Sequence, residues 1–154
     1  MKPIDLATEL PRLLPLAIAW VKRLEKELLE SGRPLTDVET LLAAAVAVRD
    51  PVRVRIKIVQ QIPRPSDPTL RAAADQAGLV SSRTSGITFG HGIYICAGHV
   101  SNRLVSHELR HVHQYEEAGT IDAFLGKYLK QIVTVGYDMA PLERDARLHE
   151  RDNP

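Results

Sequence analysis

Apolar positions recur along the chain with two periods, one helical and one of two residues. From residue 12 to 31, Leu13, Leu16 or Ala17, Trp20, Leu24 and Leu28 fall on one side of a 3.6-residue helix. Pro15 suits its first turn and Gly32 its end. Thr36 and Glu39 then form a capping-box pair that opens a second helix, running through Val48 and stopped by Pro51. Residues 52–59 switch to strict alternation, the pattern of a strand. Val52, Val54, Ile56 and Ile58 make one face, and Arg53, Arg55 and Lys57 the other. Pro63, Pro65 and Pro68 mark a loop, and residues 69–77 a short helix closed by Gly78. Two short strands flank Gly90-His91-Gly92. Three helices complete the pattern. One is capped by Ser101 or Asn102 and ended by Gly119, one is capped by Thr120 and closed by Gly136, and the last has Pro141 in its first turn.

These elements predict an α+β fold, mainly helical, with a small antiparallel or mixed sheet. The expected core is minimal, built around a buried helix over residues 102–118. The chain reads as a single domain, with N-terminal helices over 1–50, strands and a short helix over 52–96, and helices over 100–151. At 154 residues it can bury a core without disulfides, and Cys96 has no second cysteine to pair with. The apolar run at residues 13–20 is too short to span a bilayer, and an amphipathic helix follows it rather than a cleavage site. No membrane role and a cytoplasmic location are therefore expected. The net charge of +1 argues against nucleic-acid binding through a strong basic field.

The helix over 102–118 carries the chemistry. Val105, Leu109 and Val112 form its core stripe. His107 and His111 lie four apart on the other side, one above the other. Two imidazoles so placed can grip one Zn²⁺. Glu108, about 100° further round, is placed to reach a water on that metal and act as general base. A catalytic zinc takes a third protein ligand and leaves one position open. Downstream candidates are Asp138, Glu143, Asp145 and Glu150. Tyr137 and Tyr115 are phenols that can polarise a carbonyl, with packing as their plainer role, and Tyr137 is the catalytic candidate.

His107-Glu108-x-x-His111, followed by a later helix with Glu143 and Ala146, resembles the gluzincin metallopeptidases. The resemblance spans about residues 86–151. It implies Glu143 as third zinc ligand and Ile93-Tyr94-Ile95 as the edge strand that pairs with extended peptide. The chain is also similar to small bacterial proteins sharing the His-Glu-Leu-x-His and Pro-Leu-Glu-x-x-Ala elements. One position departs from the family pattern: Arg147 stands where many gluzincins carry an Asp that orients a zinc histidine. Asp145 or Asp138 is then expected to supply that carboxylate.

The function expected is a zinc-dependent metallopeptidase acting on a peptide or protein substrate. Glu108 is its base, and His107, His111 and Glu143 hold the zinc. The alternative is a non-catalytic zinc-binding interaction module. A third reading makes the basic strand face a docking site for an acidic partner.

Overall fold

The computed structural model describes residues 2–154 as an α+β fold. Six helices, α1 (Leu6–Ser31), α2 (Asp37–Ala45), α3 (Pro68–Gln76), α4 (Asn102–Ala118), α5 (Ile121–Val135) and α6 (Pro141–Leu148), surround one sheet. The sheet has strands β1 (Arg55–Val59), β2 (Gly86–Phe89) and β3 (Gly92–Cys96) in the order β1-β3-β2. It is mixed: β3 runs parallel to β1 and antiparallel to β2. Among the described residues no helix is long and apolar enough to cross a membrane.

α1 begins six residues earlier than its apolar spacing predicts. Asp5 caps it by accepting from the Thr8 N–H and hydroxyl. Pro11 and Pro15 both lie inside the helix, on its exposed side. Each removes a backbone donor. Packing of Leu13 and Ala17 against Leu70 and Ala73 of α3 outweighs that cost. The buried face is Leu13, Ala17, Val21, Leu24 and Leu28; Trp20 is half-buried, and Leu16 is exposed.

α2 carries the full capping box at Thr36 and Glu39, and the Arg33 guanidinium grips the Glu39 carboxylate with both of its terminal nitrogens. The helix ends at Ala45, short of the expected Val48. Ala47 turns left-handed at φ 70°, and the Val48 N–H reaches back to Ala43 O. This is the helix ending that glycine normally marks, here made by alanine. Pro51–Arg53 forms a 3-10 turn, so the strand starts at Arg55 and Val52 lies in solvent. Val54 and Ile56 keep the expected buried face, whereas Ile58 does not.

β3 is the central strand, buried on both faces. Ile93 and Ile95 pack with Leu42, Val46, Val105, Leu109 and Val112 of α2 and α4. Tyr94 points to the other face, against Val21, Leu24 and Leu28 of α1. The expectation that residues 93–95 form an edge strand is therefore corrected. The two edges are β1, bridged at Ile56 by Arg33, and β2, which lies against α4. The β2–β3 turn has Gly90 at φ 66°, the position that a tight hairpin gives to glycine.

Candidate metal centre

α4 is set by its two ends and its stripe. Ser101 caps the start by accepting from the Leu104 N–H, and Gly119 ends it at φ 91°. Val105, Leu109 and Val112 are fully buried against the sheet. That docking turns His107 and His111 towards α5 and α6. α6 starts at Pro141, which places Glu143 in its first turn, buried at 1% exposure.

His107 Nε2 stands 3.3 Å from Glu143 Oε1, and His111 Nε2 stands 3.0 Å from Glu143 Oε2. One ligand atom from each of these residues lies within 4.8 Å of the others, so the three can hold a metal ion. Of the four downstream carboxylates, Glu143 is the one brought to the Nε2 atoms of both histidines.

The outer nitrogens fix the tautomers. His107 Nδ1 lies 2.8 Å from Glu150 Oε2, a pure acceptor, so Nδ1 carries the proton. His111 Nδ1 lies 2.7 Å from Gln114 Oε1. The Gln114 amide cannot be turned round, because its Nε2 donates to Leu142 O and to Asp145 Oδ2, both at 2.9 Å. His111 therefore also donates from Nδ1. In the neutral rings both Nε2 atoms are then lone pairs, and both face a carboxylate. Among the described residues, the buried Glu143 Oε1 has no hydrogen-bond partner. Acceptors converging with nothing between them repel unless a proton or a cation sits there.

The proton form of that statement is in the titration of the groups. Burial pushes the His107 pKa down, but Glu143, Glu108 and Glu150 outweigh it and raise it to about 9. His111 is raised by the same balance, with Glu143 against burial. Burial raises the Glu143 carboxyl, yet the two imidazoles and Tyr128 hold it well below the usual carboxylate range.

Tyr128 on α5 is a site residue that the pattern of the chain does not announce. Its hydroxyl donates to Glu143 Oε2 at 2.7 Å, and burial with the nearby Glu143 charge keeps the phenol protonated. Glu150, one of the candidate ligands, orients His107 instead. The carboxylate expected from Asp145 is one step further out. Asp145 binds Arg110 and holds Gln114, and Gln114 holds His111. Asp138 contributes only its carbonyl, to Arg147.

Glu108 is buried, and its Oε1 accepts from the Thr88 hydroxyl on β2 at 2.8 Å. Its Oε2 lies beside Gly86. Burial with the Glu143 and Glu108 charges keeps the Tyr137 phenol protonated. Tyr115 is fully committed to the core, stacked on Phe124 with its hydroxyl on Thr88 O. His113 faces away, towards Ala47 O.

The chain matches no family model, no curated protein and no solved structure. The gluzincin resemblance therefore rests on the motif residues alone.

A cavity of about 580 Å³ opens beside the site, bounded by α1, α3, α5, β2 and the ligand face of α4. His107, Glu108, His111, Tyr137, Glu143 and Glu150 all line it. The N-terminal helix thus roofs the cleft.

Proposed function

We propose that the chain is a zinc-dependent hydrolase of peptide bonds, with His107, His111 and Glu143 as zinc ligands and Glu108 as general base. The observation that carries this reading is the convergence of two imidazole lone pairs and an unpartnered carboxylate oxygen around one point. Two ligands bonded at about 2.0–2.1 Å to a tetrahedral centre stand roughly 3.3–3.4 Å apart. The nearest His–Glu separations, 3.3 Å to Oε1 and 3.0 Å to Oε2, are close to that size, and the ligand atoms of the three residues lie within 4.8 Å of one another. Two nitrogens and one oxygen, each with an outer partner, are a donor set zinc favours.

Zinc bound there would supply a positive charge that acidifies water and polarises a substrate carbonyl. The rest of the work belongs to the chain. Glu108, held by Thr88, takes a proton from water and returns it to the leaving amine. Tyr137, kept protonated, donates a hydrogen bond to the developing oxyanion. Glu150, Gln114 and Tyr128 fix the ligands in place. The open cavity supports a catalytic reading over a structural one, since structural zinc sites are closed.

The test compares hydrolysis of a denatured protein mixture by wild type, Glu108→Gln and chelator-treated wild type. Glu108→Gln is expected to lose a factor on the order of 10²–10⁴ in rate while retaining its zinc. Equal rates in all three samples would overturn the reading.

A further inference from the structure

The cavity is much larger than peptide-bond chemistry requires. Its 580 Å³ is the size that encloses a whole drug-sized ligand, and one leucine or phenylalanine side chain would fill only a fraction of it. Its wall on α1 runs from Leu6 to Val21. At 1.5 Å per residue that is roughly 22 Å of helix. The walls from α1, α3 and α5 are aliphatic and aromatic, while the polar lining gathers at the ligand face of α4 and the loop before β2, with Ser81 and Thr84. A peptide backbone entering the apolar part would leave its N–H and C=O groups without partners. An aliphatic chain has no such groups.

We propose that the cavity binds an unbranched acyl chain, and that the substrate is an amide carrying this chain on its scissile carbonyl. At roughly 1.2 Å per bond of an extended chain, a wall of that length accommodates up to about 18 carbons. The carbonyl then lies at the polar end, beside His107, Glu108 and Glu143. Hydrolysis joins the oxygen of water to the carbonyl carbon and breaks the C–N bond. One proton of the water passes through Glu108 to the nitrogen, and the second leaves the new carboxyl group for the amine. The products are a fatty carboxylate and an ammonium. The chemistry rests on the zinc-hydrolase reading, with the acyl amide in place of an internal peptide bond; the binding of the chain does not.

The experiment titrates the full chain, as purified and after zinc loading, with acetyl-, butyryl-, octanoyl- and dodecanoylglycine. Affinity is expected to rise about fourfold per methylene until the cavity is full. Ala74→Trp on α3 and Leu10→Trp on α1 place bulk in two different walls at positions that are only partly buried. Each should remove the gain from the long chain while zinc content, melting temperature and acetylglycine binding stay as in wild type. A dodecanoyl hexapeptide distinguishes the carriers of the acyl amide. Tighter binding than dodecanoylglycine marks an acylated peptide, equal binding a small acyl amine, and either supports the inference. Dodecanoate binding to zinc-free protein keeps the inference separable from the hydrolase reading. Chain-length dependence without hydrolysis upholds the cavity and sinks the reaction. An affinity flat from acetyl to dodecanoyl, a gain that survives both tryptophan variants, or a phenylalanine peptide bound as tightly as dodecanoylglycine would overturn the inference.

Discussion

Two histidine–glutamate pairs meet on α4, and they are built for different ends. Near the C-terminal end of the helix, His91 Nε2 meets Glu116 Oε2 at 3.0 Å, and the same carboxylate accepts from the N–H groups of Arg49 and Asp50 at 2.8 and 3.0 Å. Both oxygens of Glu116 are satisfied, so this pair ties the β2–β3 turn and the segment that follows α2 to α4. Mid-helix, Glu143 faces two imidazoles at similar distances, yet Oε1 has no donor. The residue types are the same. What differs is where the protons point: the outer partners of His107 and His111 use up the donor on each ring. A histidine beside a glutamate therefore says little until both ring nitrogens are accounted for.

The largest expected effect separates the two pairs outright. His111→Ala and Glu143→Ala should each abolish stoichiometric zinc binding, whereas Glu116→Ala should leave it intact. Elemental analysis of the purified variants reads this directly. Zinc retained by both site variants would place the metal elsewhere.

Between pH 6 and 8, pH should act on zinc binding. Zinc requires neutral imidazoles, and the pKa of His107 in the metal-free chain is raised to about 9. Below that value zinc must displace at least one proton. Its apparent affinity should thus climb at least tenfold per pH unit, or about a hundredfold from pH 6 to 8. Competition with a chromophoric chelator at those pH values measures the slope. A flat profile would mean that the imidazoles are neutral already and that the charge argument fails.

Outer partners come next in size. Glu150→Gln keeps an acceptor for the His107 N–H but removes its charge, while Gln114→Ala frees the His111 ring. Each should weaken zinc binding by about 10–100-fold without abolishing it. Complete loss in Glu150→Gln would make Glu150 a ligand.

Legibility follows range. Both ends of α4, the capping box at Thr36 and Glu39, and the turn at Gly90 are local signals within a few residues, and each stands where the pattern placed it. His107, His111 and Glu143 were legible as a group because an i, i+4 pair needs only a helix and Glu143 only a family pattern. Tyr128 and Glu150 reach the site across 15 and 43 residues, through packing that no local period encodes. Gln114, three residues from His111 on the same helical face, did carry a signal. The sheet order was hidden for the same reason as Tyr128. Ile93, Tyr94 and Ile95 look alike as an edge or a central strand until β1 and β2 pair with both sides of β3. The shortened β1 traces to the turn that Pro51 begins, which overrides the alternation at Val52.

The smallest effect falls on the satisfied pair. Glu116 is depressed below its ordinary value of 4.5: burial pushes it up, but the Arg49 N–H, His91 and the Asp50 N–H together outweigh that. A carboxylate lowered on folding contributes stability that is present above its unfolded value and lost as pH falls through its folded value. Glu116→Gln keeps one acceptor oxygen but turns an amide N–H towards one of the present donors. It should cost about 1 kcal/mol at neutral pH, or roughly 2–4 °C in melting temperature for a chain of this size. As pH falls below the ordinary value of 4.5 the unfolded chain takes up the proton first, and the difference should shrink. Zinc content should be unchanged throughout. Thermal melts of wild type and variant at pH 7 and at successively lower pH check this, each with a zinc assay alongside. A variant that melts normally but loses zinc would show that the two pairs act as one unit, and the contrast between them would fail.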